Sequence, residues 1–137
     1  MESKIKHLEF IQNTITRMAS NSFLLKGWTV TIIVGLFAFA NTQDMDSTFI
    51  ILSIFPTVIF WLLDGFFLHQ EKLFIELYNH VRKQKEEVID FTMDTSEHKG
   101  NVSSWIVVCF SKTLRLFYIP IIIVIVLAML ALPYLSQ

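Results

Sequence analysis

The sequence predicts an all-α membrane protein: three transmembrane helices joined to a helical cytoplasmic layer. Three observations carry this prediction. The 137-residue chain is 53% hydrophobic with a mean hydropathy of +0.54, and its apolar residues stand in long blocks. Three of those blocks are long enough to cross a hydrocarbon core of about 30 Å at about 1.5 Å per helical residue. Elsewhere, apolar positions recur every three or four residues, which is the period of an α-helix.

Residues 1–22 read as a cytoplasmic amphipathic helix. Ile5, Leu8, Ile11, Ile15 and Met18 form one stripe, with Glu9 and Arg17 off it. The segment is too long and too helical for the charged region of a signal peptide, and no clean small-residue cleavage site follows, so it is expected to be retained. It can lie on the bilayer surface or pack on the protein's own helices. With only two lysines near its start, packing is favoured. Residues 23–40 form the first span. Lys26 near its start can reach the headgroups, and Trp28 is placed for the interfacial aromatic belt. Gly27 and Gly35, eight apart, fall roughly on one face and allow close helix contact.

The turn NTQDMD at 41–46 has two acids and no base. The second span, 47–68, holds Pro56 in its middle, where a kink is expected. No break signal follows Asp64, so the helix is predicted to continue into water as a cytoplasmic extension over 69–93. Its seam is Phe67, Phe74, Leu77, Val81 and Val88, at heptad-like spacing. Such a seam must be covered, either by the N-terminal stripe or by the same helix of another copy. Residues 94–116 read as a cytoplasmic loop around Gly100 and a juxtamembrane helix capped at Ser103 or Ser104. Residues 117–135 form the third span, which is uncharged; Pro120 near its start is expected to kink the join.

All eleven Lys and Arg fall within residues 1–26 or 72–115. The positive-inside rule then places the N-terminus and the long middle segment in the cytoplasm and the C-terminus outside. On this orientation Lys26, Asp64 and Arg115 meet at the inner interface as a charge cluster. Trp28, Trp61, Trp105 and Tyr118 are the expected interface aromatics. Asp64 has two readings: a charge at a pore mouth, or a tether that pairs with Lys26 or Arg115 and fixes how the helices meet. The tether is the favoured one.

Several function classes are disfavoured. The single cysteine, Cys109, excludes an intrachain disulfide and reads as a small buried apolar residue. His7, His69, His80 and His98 lack metal-ligand spacing. The net charge of -1 suggests no nucleic-acid partner. Asn79, His80 and Arg82 cluster without any phosphate loop. The helical segments outside the spans offer no cleft where catalytic groups converge. No catalytic, metal or cofactor residues and no enzymatic activity are therefore expected.

Three stretches carry a resemblance. They are FIQNTITRMASNSFLLKGWTV (Phe10–Val30), SIFPTVIFWLLDGFFLHQEKLF (Ser53–Phe74) and FSKTLRLFYIPII (Phe110–Ile122). Together they resemble the RipA-like family of small bacterial inner-membrane proteins, described as octameric. The signature positions are Asn21, Ser22, Phe23, Lys26, Gly27, Trp28, Pro56, Trp61, Asp64 and Glu71. The resemblance implies a multi-pass protein of the bacterial inner membrane, with the C-terminus periplasmic, that forms a ring-like homo-oligomer. In architecture alone the chain is also similar to the small octameric membrane pore that accompanies some RNA-targeting CRISPR effectors. Two functions are expected from this reading. The first is a ring-shaped pore with a cytoplasmic vestibule, in stress or phage defence, its axis lined by groups such as Thr29, Thr31 or Thr57. The second is a non-conducting scaffold that recruits a cytoplasmic protein partner. The expected partners are the lipid bilayer, further copies of the chain, and that protein.

Overall fold

The structure, a computed structural model, describes residues 1–40 and 48–135. The turn predicted at 41–46 lies outside the described residues. Every long element is an α-helix. The first, α1, runs unbroken over Glu2–Ala40, about 58 Å at 1.5 Å per residue. The boundary expected at residue 22 is therefore a change of surroundings and not a break in the chain. No proline occurs in the segment, and its buried residues His7, Ile11, Ser22, Thr29, Ile33 and Ala40 recur at helical spacing along one stripe.

A short helix, α2 (Thr48–Leu52), leads into α3 (Ile54–Lys83). The break falls at Ser53, three residues before Pro56. Proline lacks an N–H and its ring crowds the carbonyl four residues earlier, so the helix parts upstream of it. Ser53 repairs the join. Its backbone N–H donates to the Ile50 carbonyl at 3.1 Å, and Thr57 Oγ1 donates to the Ser53 carbonyl at 2.7 Å.

Helices α1 and α3 form a long antiparallel hairpin. At its far end Ile11, Leu77, Val81 and Ile89 make a core, flanked by Leu8, Ile15, Phe74 and Tyr78. The N-terminal stripe of the same chain thus covers Leu77 and Val81, so those two residues present no free surface to another copy. The predicted extension over 69–93 is too long. The helix stops at Lys83, where Lys4 Nζ donates to the carbonyls of Arg82 and Gln84 at 3.1 and 2.7 Å. A cation from α1 thereby satisfies carbonyls that further helix would otherwise have used. Val88 consequently leaves the seam: it sits in a 3-10 turn over Glu86–Val88 and is 64% exposed.

A second 3-10 turn, Ser96–Asn101, precedes α4 (Trp105–Cys109). Ser104 takes the extended backbone of a cap, but its side chain makes no capping hydrogen bond. The last helix, α5, covers Lys112–Leu135 and includes Pro120. The helix is not interrupted at Pro120; the chain turns before α5, at Phe110–Ser111. Ile125 of α5 packs with Ile33, Ala40 and Ile50, closing the other end of the bundle. Three helices are long and apolar enough to cross a membrane: Glu2–Ala40, Thr48–Lys83 and Lys112–Ala131.

Candidate functional site

Asp64 lies on the α1-facing side of α3 and is completely buried. Three donors from two other helices converge on its carboxylate. Ser22 Oγ of α1 donates to Oδ1. Lys26 Nζ, one turn further along α1, donates to Oδ2 at 2.5 Å and to Ser22 Oγ at 2.9 Å. Tyr118 Oη of α5 donates to Oδ2 at 2.9 Å, with the Phe60 carbonyl 3.3 Å away on its other side. The Lys26 ammonium also stands 5.8 Å above the Phe117 ring, a cation–π distance. One carboxylate thus ties α1, α3 and α5 together.

The electrostatics require this arrangement. A lone carboxylate at the bilayer centre costs about 2.5–3.5 kcal/mol on insertion scales. An ion pair in low dielectric repays its desolvation only when the remaining lone pairs also find donors. Ser22 and Tyr118 supply those donors. The Lys26 side chain is 20% exposed while that of Asp64 is fully covered, so the cation forms the outer edge of the clamp.

Two indoles extend the clamp to α4. Trp61 Nε1 donates to the Cys109 carbonyl at 2.7 Å, and Trp105 Nε1 donates to the Leu62 carbonyl at 3.0 Å. Trp61 also stacks on Tyr118, with ring centres 5.7 Å apart and planes 3° from parallel. Gly65 makes the close approach possible, because a Cβ there would overlap Cys109 Sγ.

The residues expected at the interface separate into two groups. Lys26 and Asp64 meet. Arg115 is exposed and makes no hydrogen bond or ion pair with Asp64. It lies three positions before Tyr118, and the phenol takes the place expected for the guanidinium. Trp28 is exposed, Trp105 is 41% exposed, and Trp61 is partly covered. Tyr118 is fully buried and is a member of the clamp, not of an interfacial belt. Ser22 was missed as a clamp residue. The signal was present, since it is the next position after Met18 on the N-terminal stripe. Of the seam, Phe67 and Phe74 are partly covered, Leu77 and Val81 are buried, and Val88 is exposed. Thr29 and Thr57 are buried inside the chain. Thr31 is exposed, with its hydroxyl donated to the Gly27 carbonyl at 2.9 Å. Among the described residues no group of three His, Cys, Asp or Glu is placed to hold a metal ion.

Compared with protein-family models, with curated proteins and with solved structures, the chain matches none.

Proposed function

We propose that the protein is a non-catalytic membrane platform: a clamped three-helix anchor that holds a rigid helical stem in the cytoplasm, where the stem receives a protein partner. The observation that carries this reading is the Asp64 clamp, which fixes α1, α3 and α5 where the apolar outer faces give way to the water-soluble part of the hairpin. Beyond Asp64, α3 continues for nineteen residues to Lys83, about 28 Å at 1.5 Å per residue. The concentration of Lys and Arg in residues 1–26 and 72–115 supports a cytoplasmic stem in a bacterial inner membrane. The buried positions of Thr29 and Thr57 weigh against an axis lined by them.

The test is reconstitution of the full chain in liposomes and nanodiscs. The platform reading expects ion-tight liposomes, and a stem whose partner binding responds to charge reversal across Arg82–Glu87. Steady ion flux that requires the protein would overturn it.

A second reading, a homo-oligomeric ring around a pore, is favoured by one observation. A Cβ added at Gly27 or Gly35 meets nothing within 4 Å, so this face of α1 is open to a neighbouring helix. It is also what the likeness to the octameric RipA-like proteins implies. Native mass in nanodiscs, with a view down any symmetry axis, separates the two readings. A ring of six or more subunits with an open centre selects the pore. A monomer, a dimer or a closed ring selects the platform.

A further inference from the structure

The stem carries a second polar site, remote from the clamp and independent of the reading above. Between the end of α3 and the 3-10 turn Ser96–Asn101 lies a cup of about 210 Å³. Its polar lining is His80 of α3, Gln84 just past the end of that helix, Thr92, His98 of the 3-10 turn, and the carboxyl residues Asp90, Asp94 and Glu97. Leu77 and Val81 form an apolar wall.

Three features define what the cup accepts. First, the charge is one-sided: three carboxyl residues line it and no Lys or Arg does. Lys99 acts on Asp94, and Lys4 binds the Gln84 carbonyl, both from outside the lining. Second, the carboxyls are not all spent. Asp94 Oδ1 accepts from the Ser96 backbone N–H and hydroxyl, and these bonds hold that carboxyl below its usual range. Asp90 Oδ1 accepts from the Thr92 N–H. Glu97 makes no hydrogen bond or ion pair among the described residues, and it is exposed. Third, His98 is only 8% exposed, and neither of its ring nitrogens has a hydrogen-bond partner; its ring touches only that of His80, with centres 5.2 Å apart. Its nitrogens keep some accessible surface, so they are free to meet a group that enters the cup.

Among the described residues no three His, Cys, Asp or Glu side chains converge closely enough to hold a bare metal ion. The cup instead has the volume and the mixed lining for an organic cation with an alkyl stem. We infer that this cup is a binding site for an alkylammonium or alkylguanidinium group, with Asp90 and Glu97 facing the charge, a ring nitrogen of His98 accepting one of its N–H bonds, and Leu77 and Val81 covering the methylenes. The group comes either from a free small amine or from a Lys or Arg side chain of a protein.

The experiment is calorimetric titration of the full chain in nanodiscs with agmatine, with butylurea as an uncharged probe of similar shape. Agmatine is expected to bind saturably and less tightly at high salt, and butylurea is expected not to bind. Asp90→Asn combined with Glu97→Gln weakens agmatine about tenfold or more. His98→Leu weakens it less. The carboxamide variant melts like the native protein, since Asp90 and Glu97 are exposed and the clamp is untouched. N-acetylarginine amide as a third probe distinguishes the source. Equal binding assigns the site to a protein side chain, and binding of agmatine alone assigns it to a free cation. Absence of saturable heat, equal binding of butylurea, or unchanged affinity in the carboxamide variant overturns the proposal.

Discussion

The two halves of the α1–α3 hairpin use the same helices with different rules. In the apolar half polar residues share the interior: Ser22, Thr29, Ser53, Thr57 and Asp64 are buried alongside Ile33, Ala40 and Ile50. Large apolar residues such as Phe23, Val34, Phe55 and Ile59 face outward. In the stem the buried residues are mostly apolar, Ile11, Leu73, Leu77, Val81 and Ile89, and most of the charges are outside. Water drives the second pattern, because apolar surface leaves it at about 25 cal/mol per Å². In hydrocarbon that force is absent, and helices associate through close packing and polar contacts. The change occurs between Asp64 and Leu73 on α3, within about three turns. Where a helix changes solvent, the meaning of its buried stripe changes with it.

The strongest way to break this contrast is to remove the polar centre of the apolar half. Asp64→Ala leaves the Lys26 ammonium, Ser22 and Tyr118 without their acceptor and is expected to cost about 3–5 kcal/mol. Denaturant titration in detergent, followed by tryptophan fluorescence, measures it. The double variant Asp64→Leu with Lys26→Met removes both charges together and is expected to recover most of that loss. If the double variant is no better than the single, the clamp is not an ion pair in low dielectric.

The matching change in the stem is Leu77→Ala, which opens a cavity in an apolar core and is expected to cost about 2–5 kcal/mol. Hydrogen exchange sharpens the comparison. Leu77→Ala should speed exchange in residues 5–15 and 70–83 while leaving 112–130 protected. Tyr118→Phe removes one donor from an ionised acceptor and is expected to cost about 1.5–3 kcal/mol. It should loosen α5 with little effect on the stem. Arg115→Gln is the small end of the scale, since the side chain is exposed and unpaired with Asp64; a change within about 0.5 kcal/mol is expected. A loss as large as that of Tyr118→Phe would restore Arg115 to the clamp.

These contrasts also mark how far the sequence could be read. The three apolar helices follow from block length alone, and the meeting of Lys26 with Asp64 follows from placing two opposite charges at the same depth. The stem core was legible as two stripes that each needed cover. Other features depended on contacts that no local pattern encodes. Helix α3 ends at Lys83 because Lys4, nearly eighty residues away, binds its last carbonyls, and no glycine or proline announces the stop. Heptad spacing therefore carried Val88 into a helix that had already ended. Tyr118 looked like an interfacial aromatic because a tyrosine near the end of a span is usually one. Its burial is set by Asp64 and by the Trp61 ring beside it. Proline acted at a distance: the break near Pro56 falls upstream, at Ser53, and α5 is not interrupted at Pro120.

The fit of Gly65 against Cys109 gives the molecule an internal stopwatch. Cys109 is the only thiol in the chain, 3% exposed and covered by the glycine of the facing helix. A maleimide can reach it only while α4 is lifted from α3. The alkylation rate in intact membranes therefore times that excursion directly, without any introduced probe, and shows whether α4 stays seated when something binds the stem.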